Sequence, residues 1–296
     1  MKNRLFTIVL LAVFAVFTSC TDNDDRNSDY GRLSVNLTDA PFPHDLVSEA
    51  NVTIFKIEAR YKGDVVMNTE VGEDVDSSNE TEGETSFVVL MEEEIDVNLL
   101  DLTNGVTKNL ADLDVPVGTY DLVRVYVKGV NVVLTDGTTY DLKVPSGEQT
   151  GIKVFIKPGL IVTGGLSADL LLDFDVSKSF VAKGGGNDLS DINGFNFKPV
   201  IKACNMSTAG SLSGVVTTLQ EEIAVGLEGA QVAIFAADTL NTTTFTDVDG
   251  KYMVMGLMAG TYDVEVELAG YQTATVTDVE IVAANKTLQD FTLVAE

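Results

Sequence analysis

The chain has 296 residues, with 45 acidic side chains against 19 basic ones and a net charge of −26 at pH 7. A surface this acidic repels phosphate backbones, which excludes nucleic acid as a partner. One histidine and two cysteines leave little material for metal or nucleophile chemistry.

Chain order begins with a basic start at Lys2 and Arg4, then the apolar run Leu5 to Phe17, then Thr18-Ser19-Cys20. A basic n-region, an apolar h-region and small residues before a cysteine form an export signal. The apolar run has 13 residues, short of the roughly 20 needed to span a bilayer. Phe17-Thr18-Ser19-Cys20 resembles the bacterial lipobox, which implies cleavage after residue 19 and lipidation of Cys20. Thr21-Asp22-Asn23-Asp24-Asp25 is similar to the acidic signal that sends Bacteroidetes lipoproteins to the outside of the outer membrane. The bland alternative is a solvated linker, and either reading makes residues 20–30 a tether. Removing residues 1–19 takes two cations and no acid, leaving a net charge of −28. Lipid, not charge, would then hold the protein to its membrane. With Cys20 lipidated, Cys204 has no disulfide partner.

Beyond the tether, apolar residues recur with period two. Leu33, Val35 and Leu37 share one face of a predicted strand. Val52, Ile54 and Lys56 oppose Thr53, Phe55 and Ile57 in the next. Tyr120, Leu122, Arg124 and Tyr126 oppose Val123, Val125 and Val127. Ile152, Val154 and Ile156 alternate with Lys153, Phe155 and Lys157, and Val264 and Val266 with Asp263, Glu265 and Glu267. Turn pairs such as Asp136-Gly137, Ser146-Gly147 and Asp249-Gly250 punctuate these runs. The pattern predicts an all-β protein of two β-sandwich domains. A short helix is expected only over Asp45 to Ala50. Small polar residues from Cys204 to Gly210 read as a linker, dividing the body into 31–203 and 211–296.

From Gly63 to Thr107 there are 13 acids and no Lys or Arg. Two readings stay open for its first part: a solvated loop, or a calcium site using Glu73, Asp74, Asp76, Glu80, Glu82 or Glu84. Calcium takes about 6–8 oxygen ligands, but the spacing that pre-places them in an EF-hand is absent. No other cofactor is expected.

The segment 211–294 carries Ser213-Gly214-Val215-Val216, Gly229-Ala230-Gln231-Val232, Thr246-Asp247-Val248-Asp249-Gly250-Lys251-Tyr252, Gly260-Thr261-Tyr262-Asp263-Val264 and Gly270-Tyr271. In this order the motifs resemble the carboxypeptidase regulatory-like domain. That resemblance implies a prealbumin-like (transthyretin-like) sandwich without catalytic residues, and a fold shared with starch-binding modules. Asp249-Gly250 reads as a tight turn and Gly260 as the chain reversal before a strand. Tyr252 and Tyr262 are expected in the core with their hydroxyls at its edge, and Tyr271 as the one tyrosine of this segment open to a sugar. The segment 31–202 carries Gly31-Arg32-Leu33-Ser34-Val35-Asn36-Leu37-Thr38-Asp39-Ala40-Pro41, Val115-Pro116-Val117-Gly118-Thr119-Tyr120, Leu172-Asp173-Phe174-Asp175 and Phe197-Lys198-Pro199-Val200. These resemble domain-of-unknown-function family 4382, found in bacterial lipoproteins. Gly118-Thr119-Tyr120-Asp121-Leu122 echoes the Gly260 motif and reads as the same turn-into-strand device.

Catalytic candidates are few. His44, between prolines and an acid, reads as a loop residue, although any hydrolytic triad would need it. Asp39, Asp45, Asp173 and Asp175 are the acids a glycosidase would pair, yet strand ends carry Asp for turns and capping. Asp238-Thr239-Leu240 resembles the short Bacteroidetes O-glycosylation motif, making Thr239 a modification candidate. The expectation is a non-enzymatic, surface-exposed outer-membrane lipoprotein that binds or adheres. Its partners would be the membrane, through Cys20, and a glycan or an envelope protein. Alternatives are a carbohydrate-binding lipoprotein of a polysaccharide uptake system, a structural spacer and a carboxylate-dependent hydrolase.

Overall fold

The computed structural model describes residues 29–40, 46–62, 85–144, 148–184 and 188–296. The N-terminal part contains β1 (Tyr30–Ala40), β2 (Val47–Lys62), β3 (Thr85–Met91), β4 (Ile95–Asn98), β5 (Lys108–Pro116), β6 (Gly118–Leu134), β7 (Thr139–Asp141), β8 (Ile152–Val162), β9 (Ser167–Asp175), the helical turn α1 (Val176–Ser179), β10 (Phe180–Gly184), β11 (Ile192–Phe197) and β12 (Ile201–Asn205). Two four-stranded layers, β3-β2-β6-β8 and β12-β9-β1-β5, meet at the parallel pair Ala203–Ile156. They enclose one core that includes Leu33, Val35, Ile54, Ile57, Val123, Val125 and Phe174. The hairpin β10–β11 adds Phe180 and Phe197, whose rings lie 5.1 Å apart beside Phe174.

Period two put the right residues inside, except where a bulge reset it. Ile54 pairs with Val127 and Lys56 with Tyr126, so Phe55 is an extra residue in β2. Past that bulge Ile57 faces inward and Lys56 outward, the reverse of the simple alternation. In β6 a shift between Tyr120 and Leu122 likewise separates the fully buried Tyr120 from Arg124 and Tyr126, which face out. The helix expected near 45–50 does not form over its described part. Leu46 is a turn and Val47 opens β2, because Val47 and Ala50 are buried core residues paired to Leu134 and Val132. Asp45 lies outside the described residues.

The C-terminal part contains β13 (Ala209–Gln220), β14 (Ile223–Gly226), β15 (Gln231–Ala236), β16 (Thr239–Phe245), β17 (Lys251–Met258), β18 (Gly260–Glu267), β19 (Ala274–Ile281), β20 (Lys286–Leu288) and β21 (Phe291–Leu293). One layer is β14-β13-β17 with β20 and β21 parallel to β13, and the other is β16-β15-β18-β19. Between them lies a second core, with Leu212, Val232, Ile234, Tyr252, Val264 and Phe291. The architecture is all-β, with two sandwiches. Residues 204–210 are not a free linker: Cys204 and Asn205 finish β12, Ala209 and Gly210 open β13, and only a tight turn at 206–208 separates them.

Both sandwiches use the same corner. The Tyr120 hydroxyl donates to the Pro116 carbonyl at 2.8 Å, and the Tyr262 hydroxyl to the Met258 carbonyl at 2.9 Å, each four residues back. Both rings are buried, so the hydroxyl needs this acceptor. The glycine two residues earlier permits the approach in the first sandwich. A Cβ on Gly118, whose φ is +149°, would lie 2.6 Å from the Tyr61 ring. Tyr120→Phe and Tyr262→Phe are each expected to lower stability by about 1 kcal/mol, read as a lower urea midpoint at unchanged slope. An unmoved midpoint would show that the corner bonds contribute nothing.

Candidate functional site

Two regions gather polar chemistry. The first is the joint between the sandwiches, a crevice of about 70 Å³ lined by Thr38, Asp39, Asp173 and Cys204 on one side and Thr242–Thr244 and Met253–Leu257 on the other. By this measure it has room for a few waters and none for a sugar ring. Parallel pairing of β1 with β9 sets Thr38 beside Asp173 and Asp39 beside Phe174, which is why sequence-distant acids converge here.

Asp39 is 5% exposed. Its Oδ1 accepts the Val176 amide at 3.1 Å, while Oδ2 is buried without a hydrogen-bond partner. Burial, opposed by that amide and reinforced by the charges of Asp173 and Asp175, pushes its pKa up to about 9. At neutral pH it is a carboxylic acid. Asp175 is also buried, but stays ionised. Burial would raise its pKa; hydrogen bonds from Lys178 and Ser177 bring it below the ordinary value. It caps α1. The two acids thus serve one strand end, and neither faces a cavity that holds a substrate.

The joint itself is locked by close contacts. Cys204 Sγ donates to the Gly256 carbonyl at 3.4 Å, and Thr244 Oγ1 to Asn104 Oδ1 at 3.1 Å. A Cβ on Gly256, whose φ is +75°, would sit 2.9 Å from Cys204 Sγ and 3.6 Å from Leu171. Burial pushes the Cys204 thiol up to about 11, so it is a protonated packing group at neutral pH.

The second region is the outer face of β3-β2-β6-β8, and sequence reasoning passed over it. Register places Val89, Glu58, Arg124 and Lys153 in one row across the four strands, and Phe87, Arg60, Leu122 and Phe155 in the next. Glu58 is 6% exposed. It accepts from Tyr126 Oη at 2.7 Å, Arg124 Nη1 at 3.0 Å and Lys56 Nζ at 3.0 Å. Burial alone would raise its pKa, but these donors hold it below the usual carboxylate value. Arg124 lies 3.9 Å from the Phe87 ring centre, and Lys157 5.9 Å from that of Phe155. Arg60 and Lys62 share Asp121, and Lys128 pairs with Glu94. Among the described residues, no carboxylate is within ion-pair distance of Lys153 or Lys157. The signal was present in the alternations Lys56-x-Glu58-x-Arg60-x-Lys62, Arg124-x-Tyr126-x-Lys128 and Lys153-x-Phe155-x-Lys157.

The other sequence candidates are placed as follows. Cys20, His44 and the six acids Glu73, Asp74, Asp76, Glu80, Glu82 and Glu84 lie outside the described residues. Asp249 and Gly250 sit in the turn before β17, where Asp247 Oδ1 accepts the amides of Asp249 and Lys251. Gly260 opens β18, and Thr239 is exposed at the start of β16. Tyr271 is half-buried against the second core, so it offers no free platform. Among the described residues, no group of three or more His, Cys, Asp or Glu is placed to hold a metal ion, and no helix is long and apolar enough to cross a membrane.

The family model "Domain of unknown function (DUF4382)" matches residues 30–199. The chain belongs to this family. Residues 211–294 match the model "Carboxypeptidase regulatory-like domain", and no enzyme family is among the matches. A search of curated proteins found no match. Similar solved structures include a type II cohesin–X-dockerin interface mutant from Acetivibrio cellulolyticus, at 20% identity and TM-score 0.24. That match covers 29% of this chain and 58% of the other, so this chain spans under two thirds of it. The minor pilin GBS52 of Streptococcus agalactiae matches over 89% of this chain and 96% of its own, at 12% identity and TM-score 0.26. The shaft pilin SpaA of Lactobacillus rhamnosus GG matches over 90% and 98%, at 12% identity and TM-score 0.29.

The joint yields two predictions. Asp39 keeps a proton in the folded state that the unfolded chain releases above about pH 4. Its contribution to stability is full below that pH and declines as pH rises toward its folded pKa of about 9. Asp39→Asn should flatten the fall in urea midpoint between pH 5 and pH 9; an identical pH profile would refute the buried neutral acid. Gly256→Val should split thermal unfolding into two transitions and expose the 206–208 turn to protease. A single unshifted transition would show that the joint couples nothing.

Proposed function

We propose that this protein is a non-enzymatic binding or adhesion module of the bacterial cell envelope, anchored by lipid on Cys20 and exposed on the outer membrane. The observation that carries this reading is where its chemistry sits. Asp39, Asp173 and Cys204 are gathered in a narrow joint of about 70 Å³, while a network of ion-paired cations lies on a broad sheet face. Enzymes work in enclosed sites that exclude water; open faces bind. The basic start, apolar run and Thr18-Ser19-Cys20 support the anchor, and the acidic residues after Cys20 support surface exposure. The lipid would leave the net acidic body soluble beside the membrane.

Cys20→Ala tests the anchor in cells. The variant is expected to leave the membrane fraction or to retain its signal segment, and protease added to intact cells should degrade only the wild-type chain. If the variant sediments with membranes in processed form, the lipid anchor is wrong. If wild type resists external protease that digests it after lysis, surface exposure is wrong.

A further inference from the structure

The outer face of β3-β2-β6-β8 is an anomaly in this chain. It carries Lys56, Arg60, Lys62, Arg124, Lys128, Lys153 and Lys157, seven of the 19 basic residues in a protein of net charge −26. Among the described residues, the acids engaged on it are Glu58, Glu94, Asp96 and Asp121, with Glu92 near Lys56, so the seven cations outnumber these five acids. Glu58 is buried and spent on holding Arg124 and Lys56 in place. Asp121 is spent on Arg60 and Lys62, Glu94 on Lys128, and Asp96 accepts from Thr53 at 2.6 Å. Without a carboxylate partner among the described residues is β8, where Lys153 and Lys157 flank a Phe155 that is 55% exposed.

Phe155 buries little on this sheet, and two exposed lysines with no carboxylate partner among the described residues add little to folding. On β8 the order is cation, ring, cation, with about 6.7 Å between successive outward side chains. Across the strands, from Phe87 to Phe155, the face is about 14 Å wide. A flat ruler of alternating charge and ring fits an extended polymer that repeats an anionic group and a C–H face. The rings' negative faces meet polarised C–H groups, and the ammonium groups meet the anions. We propose that this face binds an acidic polysaccharide, with Lys153 and Lys157 pairing its carboxylate or sulfate groups and Phe155 stacking on a sugar ring. The inference rests on the binding-module reading and names its ligand. Nucleic acid and anionic membrane also carry repeating charge. Both are extended far beyond this patch and would meet the repulsion of the acidic remainder; a single glycan strand need touch only the patch.

The test is affinity electrophoresis of the full chain, purified in detergent, through gels containing polygalacturonate, dextran sulfate, neutral dextran or polyglutamate. Retardation by polygalacturonate or dextran sulfate, but not by neutral dextran, is expected, and which of the two acts tells carboxylate from sulfate recognition. Binding should weaken as salt rises from about 50 to 200 mM, and Lys153→Gln/Lys157→Gln should weaken it about tenfold. Phe155→Ala should weaken polysaccharide binding without changing the salt slope. All three substitutions are on exposed side chains, and an unchanged urea midpoint confirms an intact fold. No retardation by either acidic glycan, wild-type binding by the lysine variant, or equal retardation by polyglutamate would overturn the proposal. New reducing ends in the polygalacturonate would instead remove the non-enzymatic reading and leave the ligand class standing. Retardation by neutral dextran alone would keep the binding module and reject this face.

Discussion

Leu171 faces outward from β9 and yet is 1% exposed. The second sandwich lies over it, with Gly256 on β17 set against Leu171 and Cys204. That contact governs the rest of the surface. The N-terminal sandwich has two outer faces, and the joint takes up part of the one formed by β12, β9 and β1. The chemistry gathered there is consumed by packing: Cys204 as a thiol, Asp39 as a neutral acid, Thr38 by donating to the Leu102 and Val106 carbonyls. The face of β3-β2-β6-β8 lies in the other layer, away from the joint. A glycine at 256 is what lets β17 come this close, since any side chain would meet Cys204 Sγ inside van der Waals distance.

The open face is organised by one buried carboxylate. Glu58 pairs with Arg124 and Lys56 and accepts from Tyr126. A buried ion pair is a weak source of stability, because desolvation offsets much of the attraction. Its effect here is on geometry. With Glu58 in place, Arg124 lies over Phe87, 3.9 Å from its ring centre, and Lys56 stands 5.2 Å from that of Tyr126. The cations are thereby held to the sheet instead of sampling solvent, which removes rotamer entropy before any ligand arrives. A chain whose average charge repels anions thus presents one place where cations are fixed, close together and backed by rings.

Fold class was legible because period two is a local signal and the sandwiches follow it strand by strand. Leu33, Val35 and Leu37 face the core as their alternation requires, as do Val154 and Ile156. What the pattern missed were the resets. The bulge at Phe55 and the shift after Tyr120 each move one residue off the alternation, and nothing local announces them. Asp39 shows the second limit. Its sequence neighbours suggest a turn acid, and only the parallel pairing of β1 with β9, more than a hundred residues away, buries it and sets Asp173 and Asp175 nearby. The cationic face was written in three strands as three alternations. It becomes a site only when β2, β6 and β8 lie side by side, which is a fact of topology and not of any one segment.

Topology also sets which end of the N-terminal sandwich meets the second one. Tyr30 pairs with Pro116 at one end of β1, and Thr38 and Asp39 meet the second sandwich at the other. Eleven residues of strand separate the ends by about 33 Å. The described chain enters the N-terminal sandwich at the Tyr30 end, and the second sandwich packs at the other. Lys62 and Thr119, at one edge of the open face, pair beside Gly118, whose neighbour Val117 bonds back to Asp29. The strands of that face therefore run from near Asp29 toward Lys128. The close-packed joint and the cationic face in the other layer are two consequences of the same packing.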